Sequence, residues 1–282
     1  MKNLGYYNGK IGPLEEMTVP MLDRACYFGD GVYDAAYSRN HIVYALEEHI
    51  DRFFDSAALL GIGIPMSREE LAALIRELVR KVDDGEQFVY WQVSRGTAIR
   101  THAFAGERAN IWIMLRPCRL RELYRKNRLI STEDTRFFHC NIKSLNLIPN
   151  VLAMQKAVAA GVDECVFHRG DIVTETAHSN ISMLKDGKLI THPRDNLILA
   201  GVARKHLIEA CHHFGIPVEE RNYTLAELEA ADEVILTAAG SLCISASELD
   251  GKPVGGKAPD TLRMLQDYLL ADYVEKTGGG VY

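Results

Sequence analysis

Four stretches of this 282-residue chain bring together side chains whose types and spacing could do chemistry. In Cys140-Asn141-Ile142-Lys143-Ser144-Leu145-Asn146-Leu147-Ile148 one lysine stands among apolar neighbours. A lysine partly withdrawn from water has a lowered pKa and becomes a usable nucleophile and proton carrier, although snorkelling to solvent is the commoner fate. Val173-Thr174-Glu175-Thr176-Ala177-His178-Ser179-Asn180 sets a glutamate amid small polar groups, either a site acid or a solvated strand end. Ser94-Arg95-Gly96-Thr97-Ala98-Ile99-Arg100-Thr101-His102 offers two guanidiniums and an imidazole. Such donors can grip an organic acid's carboxylate, and they equally suit an exposed basic loop. Phe28-Gly29-Asp30-Gly31-Val32-Tyr33-Asp34 packs glycines around an acid beside an aromatic hydroxyl, which fits tight backbone geometry or a plain turn.

The elements that must hold these residues are a mixed order of strands and helices, so the class is α/β or α+β. Apolar spacing predicts helices over 46–60 and, after the capping box Ser67/Glu70, through Val82. Strands are expected at 88–93 and 111–115, with a polar loop from Ser94 to Glu107 between them. The aperiodic basic stretch 116–126 reads as an interdomain linker, placing a boundary near 120: residues 1–120 as an N-terminal α/β domain and 121–282 as a C-terminal α/β domain carrying the lysine. Beyond it come strands near 129–131 and 164–167, a helix from Asn150 to Ala160 closed by Gly161, and a hairpin at Asp186-Gly187. A helix from Val202 stops at Gly215, Thr224 and Glu227 cap a short one, and strand 233–237 runs into the turn Ala238-Ala239-Gly240-Ser241. Leu262, Leu265 and Leu269 mark a closing helix, and Gly278-Gly279-Gly280 reads as a frayed tail.

Composition excludes several classes. At 47% apolar and 25% charged residues the chain is an ordinary globular sequence, and a net charge of −6 without a basic block argues against nucleic acid. No run reaches a membrane span and Met1–Asn8 has no signal-peptide core, so a cytoplasmic chain without membrane contact is expected. The six cysteines form no C-x-x-C pair, and Cys211-His212-His213 point in different directions, so no metal is expected. Gly251 to Lys257 has P-loop spacing, but Ala258 stands where a hydroxyl belongs; a hairpin turn at Asp250-Gly251 is the reading.

Taken in order, Phe28-Gly29-Asp30-Gly31-Val32-Tyr33, Glu48-His49-Ile50-Asp51-Arg52, Arg95-Gly96-Thr97 with Arg100 and His102, Asn141-Ile142-Lys143-Ser144-Leu145-Asn146 and Thr174-Glu175 resemble the fold type IV (class IV) pyridoxal-phosphate aminotransferases, and within them the D-amino-acid aminotransferases. The resemblance implies a two-domain fold type IV architecture, pyridoxal 5'-phosphate bound to Lys143 as a Schiff base, and proton shuttling by the same lysine. It also implies Glu175 facing the pyridine nitrogen, Arg52 on the phosphate, and further cofactor contacts from Ser179, Asn180, Val202, Ala203, Ala238 and Ala239. Tyr33, Arg100 and His102 match the family's carboxylate trap, with the Arg-x-His loop supplied by the neighbouring subunit of a homodimer. Because the lysine works on the re face, that trap should present the D enantiomer's Cα–H.

The implied activity is transamination between a D-amino acid of the D-alanine or D-glutamate type and a 2-oxo acid. The alternatives are another class IV activity (branched-chain L-amino-acid or (R)-amine transamination, aminodeoxychorismate lyase chemistry) or a scaffold that lost turnover. Two departures stand out. Thr176-Ala177-His178 replaces Gly-Ser-Ser of many relatives, leaving His178 as a cofactor donor or a structural residue. Ala203, Ala238 and Ala239 stand where hydroxyls are usual, which predicts weaker cofactor retention.

Overall fold

Period-two burial along Gly31–Arg39 and Gln87–Ser94 builds the first sheet, since residues that alternate in a strand face opposite sides. The computed structural model describes residues 1–104, 106 and 108–282; Ala105 and Glu107, in the polar loop, lie outside the described residues. Contacts divide the chain into two units: residues 1–120 with 142–146 and 273–282, and residues 121–141 with 147–272. The lysine segment, expected with the C-terminal domain, thus groups with the N-terminal residues. The reason is backbone pairing: Tyr33 N–H donates to the Lys143 carbonyl at 2.9 Å and Leu145 N–H to the Gly31 carbonyl at 3.1 Å.

The first unit comprises β1 (Leu4–Tyr7), β2 (Lys10–Gly12), α1 (Arg24–Phe28), β3 (Gly31–Arg39), β4 (Ile42–Val43), α2 (Leu46–Leu59), α3 (Arg68–Val79), β5 (Gln87–Ser94) and β6 (Asn110–Pro117). Its strands form an antiparallel six-stranded sheet in the order β2-β1-β6-β5-β3-β4. One face buries Val32, Ala36 and Trp91 with Phe53 of α2 and Ile75 of α3. Fully burying Val32, Phe53 or Ile75 contributes about 1.5–3 kcal/mol each. The other face is a half-exposed aromatic row in which Tyr33 stacks on Tyr90 and Tyr90 meets Trp112, at centroid distances of 5.4 and 5.2 Å. The Ser67/Glu70 capping box is present at the start of α3.

The second unit comprises β7 (Asn127–Glu133), α4 (Ile148–Ala159), β8 (Glu164–Arg169), β9 (Ile172–Thr176), β10 (Asn180–Lys185), β11 (Lys188–Thr191), α5 (Val202–His213), β12 (Val218–Glu220), α6 (Leu225–Glu229), β13 (Glu233–Thr237), β14 (Ile244–Leu249) and β15 (Lys252–Pro253), and α7 (Pro259–Lys276) begins in it. The sheet order is β12-β11-β10-β13-β14-β7-β8-β9, with β15 paired to β14. Three of its pairs are parallel, β7 with β8, β11 with β12 and β14 with β7, and the first two are joined through α4 and α5, because parallel neighbours require a crossover. Asp250 and Gly251 turn the β14–β15 hairpin with positive φ, as the turn reading of that glycine-rich stretch requires.

The tail corrects one expectation. Gly279 and Val281 give their carbonyls to the buried Arg39 guanidinium, both at 2.8 Å, so the glycines are pinned rather than frayed. Among the described residues no helix is long and apolar enough to cross a membrane, and no group of three His, Cys, Asp or Glu is placed to hold a metal ion.

Candidate active site

Lys143 lies on the aromatic side of the first sheet, its Nζ 4.3 Å from the centre of the Tyr33 ring. Its own N–H donates to Ser56 Oγ at 3.2 Å, so both backbone groups of the lysine are tied down. The close approach of this segment explains two glycines. A Cβ on Gly31 would meet the Val93 carbonyl at 2.5 Å and Leu145 Cδ1 at 2.8 Å. Gly29 closes α1 with φ +61, the left-handed region that glycine enters without a Cβ penalty.

Behind β3, α2 places His49 and Arg52 one turn apart, and both reach Asp34. Arg52 grips the carboxylate with Nε at 2.9 Å and Nη2 at 2.7 Å, while His49 Nδ1 lies 2.8 Å away. Burial alone would raise the Asp34 carboxyl, but the Arg52 and His49 contacts outweigh it and hold it well below the usual carboxylate range. Burial pushes His49 below its ordinary value against the pull of Asp34. At neutral pH the cluster is therefore a carboxylate, a guanidinium and a neutral imidazole donating from Nδ1. The Arg52 side chain keeps 13% exposure.

In the second unit, Glu175 near the end of β9 is buried and surrounded by donors. Asn180 Nδ2 donates to Oε1 at 3.0 Å, Leu199 N–H to the same oxygen at 2.6 Å, and Arg136 Nη1 contacts Oε2. Donors on every side satisfy the ionised carboxylate. Arg136 is a partner of Glu175 that sequence reasoning missed: it bridges Glu175 and Asp134 and lies over the Phe167 ring. Burial would lower its pKa, and the two carboxylates more than reverse that. The turn joining β9 to β10 is held by Thr176 Oγ1, which donates to the Ser179 carbonyl and accepts from Ser179 N–H, both at 2.9 Å. His178 Nδ1 lies 2.5 Å from Oε2 of the buried Glu164, which anchors the same turn.

Gly201 is the N-cap of α5, and among the described residues no side chain caps the N–H groups that Val202 and Ala203 present. A Cβ at Gly201 would fall 2.0 Å from Asn180 Oδ1, so any larger residue would have to displace that side chain. Such an open, twelve-residue helix start attracts anions. Ala238 and Ala239 follow β13, and the Ala238 carbonyl accepts from Ser241 and Leu242 N–H at 3.1 and 2.9 Å.

Arg100 and His102 are exposed and both pack on Phe28, with Arg100 Cζ 4.8 Å and the His102 ring 5.2 Å from the ring centre. Arg24 approaches the same ring at 5.0 Å and donates to the Thr101 carbonyl at 2.8 Å. Asp30 links Arg24 to Arg95 through hydrogen bonds of 2.8 and 2.9 Å. Neither Arg100 nor His102 shares a hydrogen bond with Tyr33 or Lys143 among the described residues.

These features carry the signature of one family. The model for class IV amino-transferases matches residues 31–249, and the chain belongs to that family. It is 37% identical over 279 residues to the D-alanine aminotransferase of Listeria monocytogenes serotype 4b (strain F2365), covering 96% of each chain. It is 36% identical over 259 residues to the D-alanine aminotransferase of Bacillus licheniformis, covering 91% of this chain and 92% of the relative. Among solved structures, a T.th. branched-chain amino acid aminotransferase, solved with pyridoxamine 5'-phosphate, superposes at TM-score 0.87 with 26% identity, covering 96% of this chain and 94% of that one. The branched-chain aminotransferase of Thermoproteus uzoniensis shares the fold, at TM-score 0.87 and 23% identity over 96% of this chain and 94% of its own.

Proposed function

We propose that the chain is a pyridoxal-phosphate-dependent transaminase that moves the amino group between a D-amino acid of the D-alanine or D-glutamate type and a 2-oxo acid. The observation that carries this reading is the Arg100 and His102 pair mounted on Phe28 and open to solvent, a donor pair suited to an α-carboxylate. The curated D-alanine aminotransferases similar to the chain over nearly its whole length support it. Branched-chain L-amino-acid transamination has the fold in its favour, but that activity does not call for an Arg-x-His pair.

The residues present fit the cofactor. An uncapped helix start closed in by Gly201 suits a phosphate, a buried donor-held carboxylate suits a protonated ring nitrogen, and a tethered lysine suits a carbonyl carbon. Arg52, Val202, Ala203, Ala238 and Ala239 would hold the phosphate, Glu175 the ring nitrogen, and Ser179 and Asn180 the turn around it. When bound, the cofactor supplies an electron sink for the pair released as the Cα–H bond breaks. Lys143 Nζ would carry the proton from the substrate Cα to the cofactor's C4′, Tyr33 buttresses that amine, and Arg100 with His102 orients the carboxylate. Exposure of that pair on its own chain supports delivery to a neighbouring subunit, hence a homodimer; six unpaired thiols suit a reducing cytoplasm.

The test is a visible spectrum of the purified protein before and after D-alanine or L-alanine without an acceptor acid. Loss of the yellow band with pyruvate release by D-alanine alone is the expected outcome. A band unmoved by D-alanine and bleached by L-leucine would overturn the D-amino-acid assignment.

A further inference from the structure

Thr237, the last residue of β13, is 2% exposed, and its Oγ1 has no hydrogen-bond partner among the described residues. A buried hydroxyl left unpaired is costly, so a folded chain keeps one where something outside the chain completes it. Its place on the sheet says what that is. Thr237 stands directly opposite Asn180 in the antiparallel β10–β13 pair. Opposed residues project to the same face. On that face the Asn180 side chain donates to Glu175 at 3.0 Å and abuts Gly201, the N-cap of α5. The orphaned hydroxyl therefore shares a sheet face with the open start of a helix whose N–H groups have no side-chain cap. Its chain neighbours Ala238 and Ala239, and Ala203 on the helix, carry no donor atoms in their side chains.

We propose that Thr237 Oγ1 donates a hydrogen bond to the cofactor's phosphate, supplying the side-chain hydroxyl that Ala203, Ala238 and Ala239 lack. This deepens the proposed function and rests on its claim that the chain binds pyridoxal 5'-phosphate. It offsets the weak retention that the alanines alone would give.

The test uses full-length protein stripped of cofactor and titrated, by equilibrium dialysis, with pyridoxal 5'-phosphate and separately with pyridoxal. Thr237→Val keeps the shape and removes the donor. It should weaken pyridoxal 5'-phosphate binding about tenfold or more, the scale of a lost hydrogen bond to a charged group. Pyridoxal affinity should stay at the wild-type value, and Thr237→Ser should restore most of the loss. The stripped Thr237→Val protein should melt no lower than wild type, since an unpaired hydroxyl has been replaced by a methyl. Unchanged pyridoxal 5'-phosphate affinity, an equal loss for both ligands, or a lowered melting point would each overturn the assignment. Wild-type protein that takes up no pyridoxal 5'-phosphate would instead break the proposed function itself.

Discussion

The Lys143 ammonium nitrogen lies 4.3 Å from the centre of the Tyr33 ring while the two residues share a backbone hydrogen bond of 2.9 Å. The side chain and the backbone of the lysine thus have separate tasks. Lys143→Ala should remove the amine without disturbing the tether, because both tying hydrogen bonds use backbone atoms. Turnover should fall by roughly three orders of magnitude or more, since the proton carrier is lost, and the yellow band should vanish. Circular dichroism should be unchanged. Wild-type turnover in this variant would mean that another residue carries the chemistry.

Arg100 and His102 depend on Phe28 for a surface to rest on. Arg100→Ala should raise KM for D-alanine roughly 10- to 100-fold with a smaller effect on kcat, the signature of lost binding to a charged carboxylate. Phe28→Leu removes the ring beneath both donors and should raise KM by a smaller factor, about 3- to 10-fold. Steady-state kinetics with D-alanine and L-leucine separate the outcomes. Damage confined to L-leucine in Arg100→Ala would sink the argument that this pair selects the D enantiomer.

Local rules made much of this fold legible. The capping boxes at Ser67/Glu70 and Thr224/Glu227 lie within four residues of sequence, and both are present. The alternation of Gly31–Arg39 and the stop at Gly161, with φ +68, follow from backbone sterics alone. What sequence does not display is long-range pairing. Arg136 lies 39 residues from Glu175, and nothing local marks it as that residue's partner. The grouping of residues 142–146 with the first unit is equally a matter of which distant backbone they pair with. Nothing next to His178 in sequence decides between a cofactor contact and a structural one; Glu164, fourteen positions earlier, supplies the structural partner.

The Asp34 cluster should leave a signature in acid. A carboxyl whose folded pKa is depressed contributes stability above its unfolded value, about 3.9, and loses it as pH falls through the folded value. His49 is also depressed, so the unfolded chain binds its proton first and stability declines as pH drops below about 6.5. His49→Asn can still donate to Asp34 and does not titrate. Urea unfolding between pH 5 and 7.5 should therefore show a steeper decline for wild type than for this variant, with the slopes differing by up to about 1.4 kcal/mol per pH unit. Equal slopes would show that His49 is not held neutral by burial.

The C-terminal glycines supply the last test. Arg39 is 7% exposed, and its guanidinium spends two donors on the carbonyls of Gly279 and Val281. Ending the chain after Gly278 deletes both acceptors and leaves a buried charge unsatisfied, at a cost of about 2–4 kcal/mol. The unfolding midpoint should fall by about 5 °C or more for a chain of this size. Arg39→Met separates the charge from the tail's other contacts, such as the Tyr273–Tyr282 ring pair. If the buried guanidinium is what makes truncation damaging, the truncated Arg39→Met protein should lose much less relative to Arg39→Met alone than the truncated wild type loses relative to wild type. A truncation with no effect on the midpoint would return the glycines to the frayed tail that their sequence suggests.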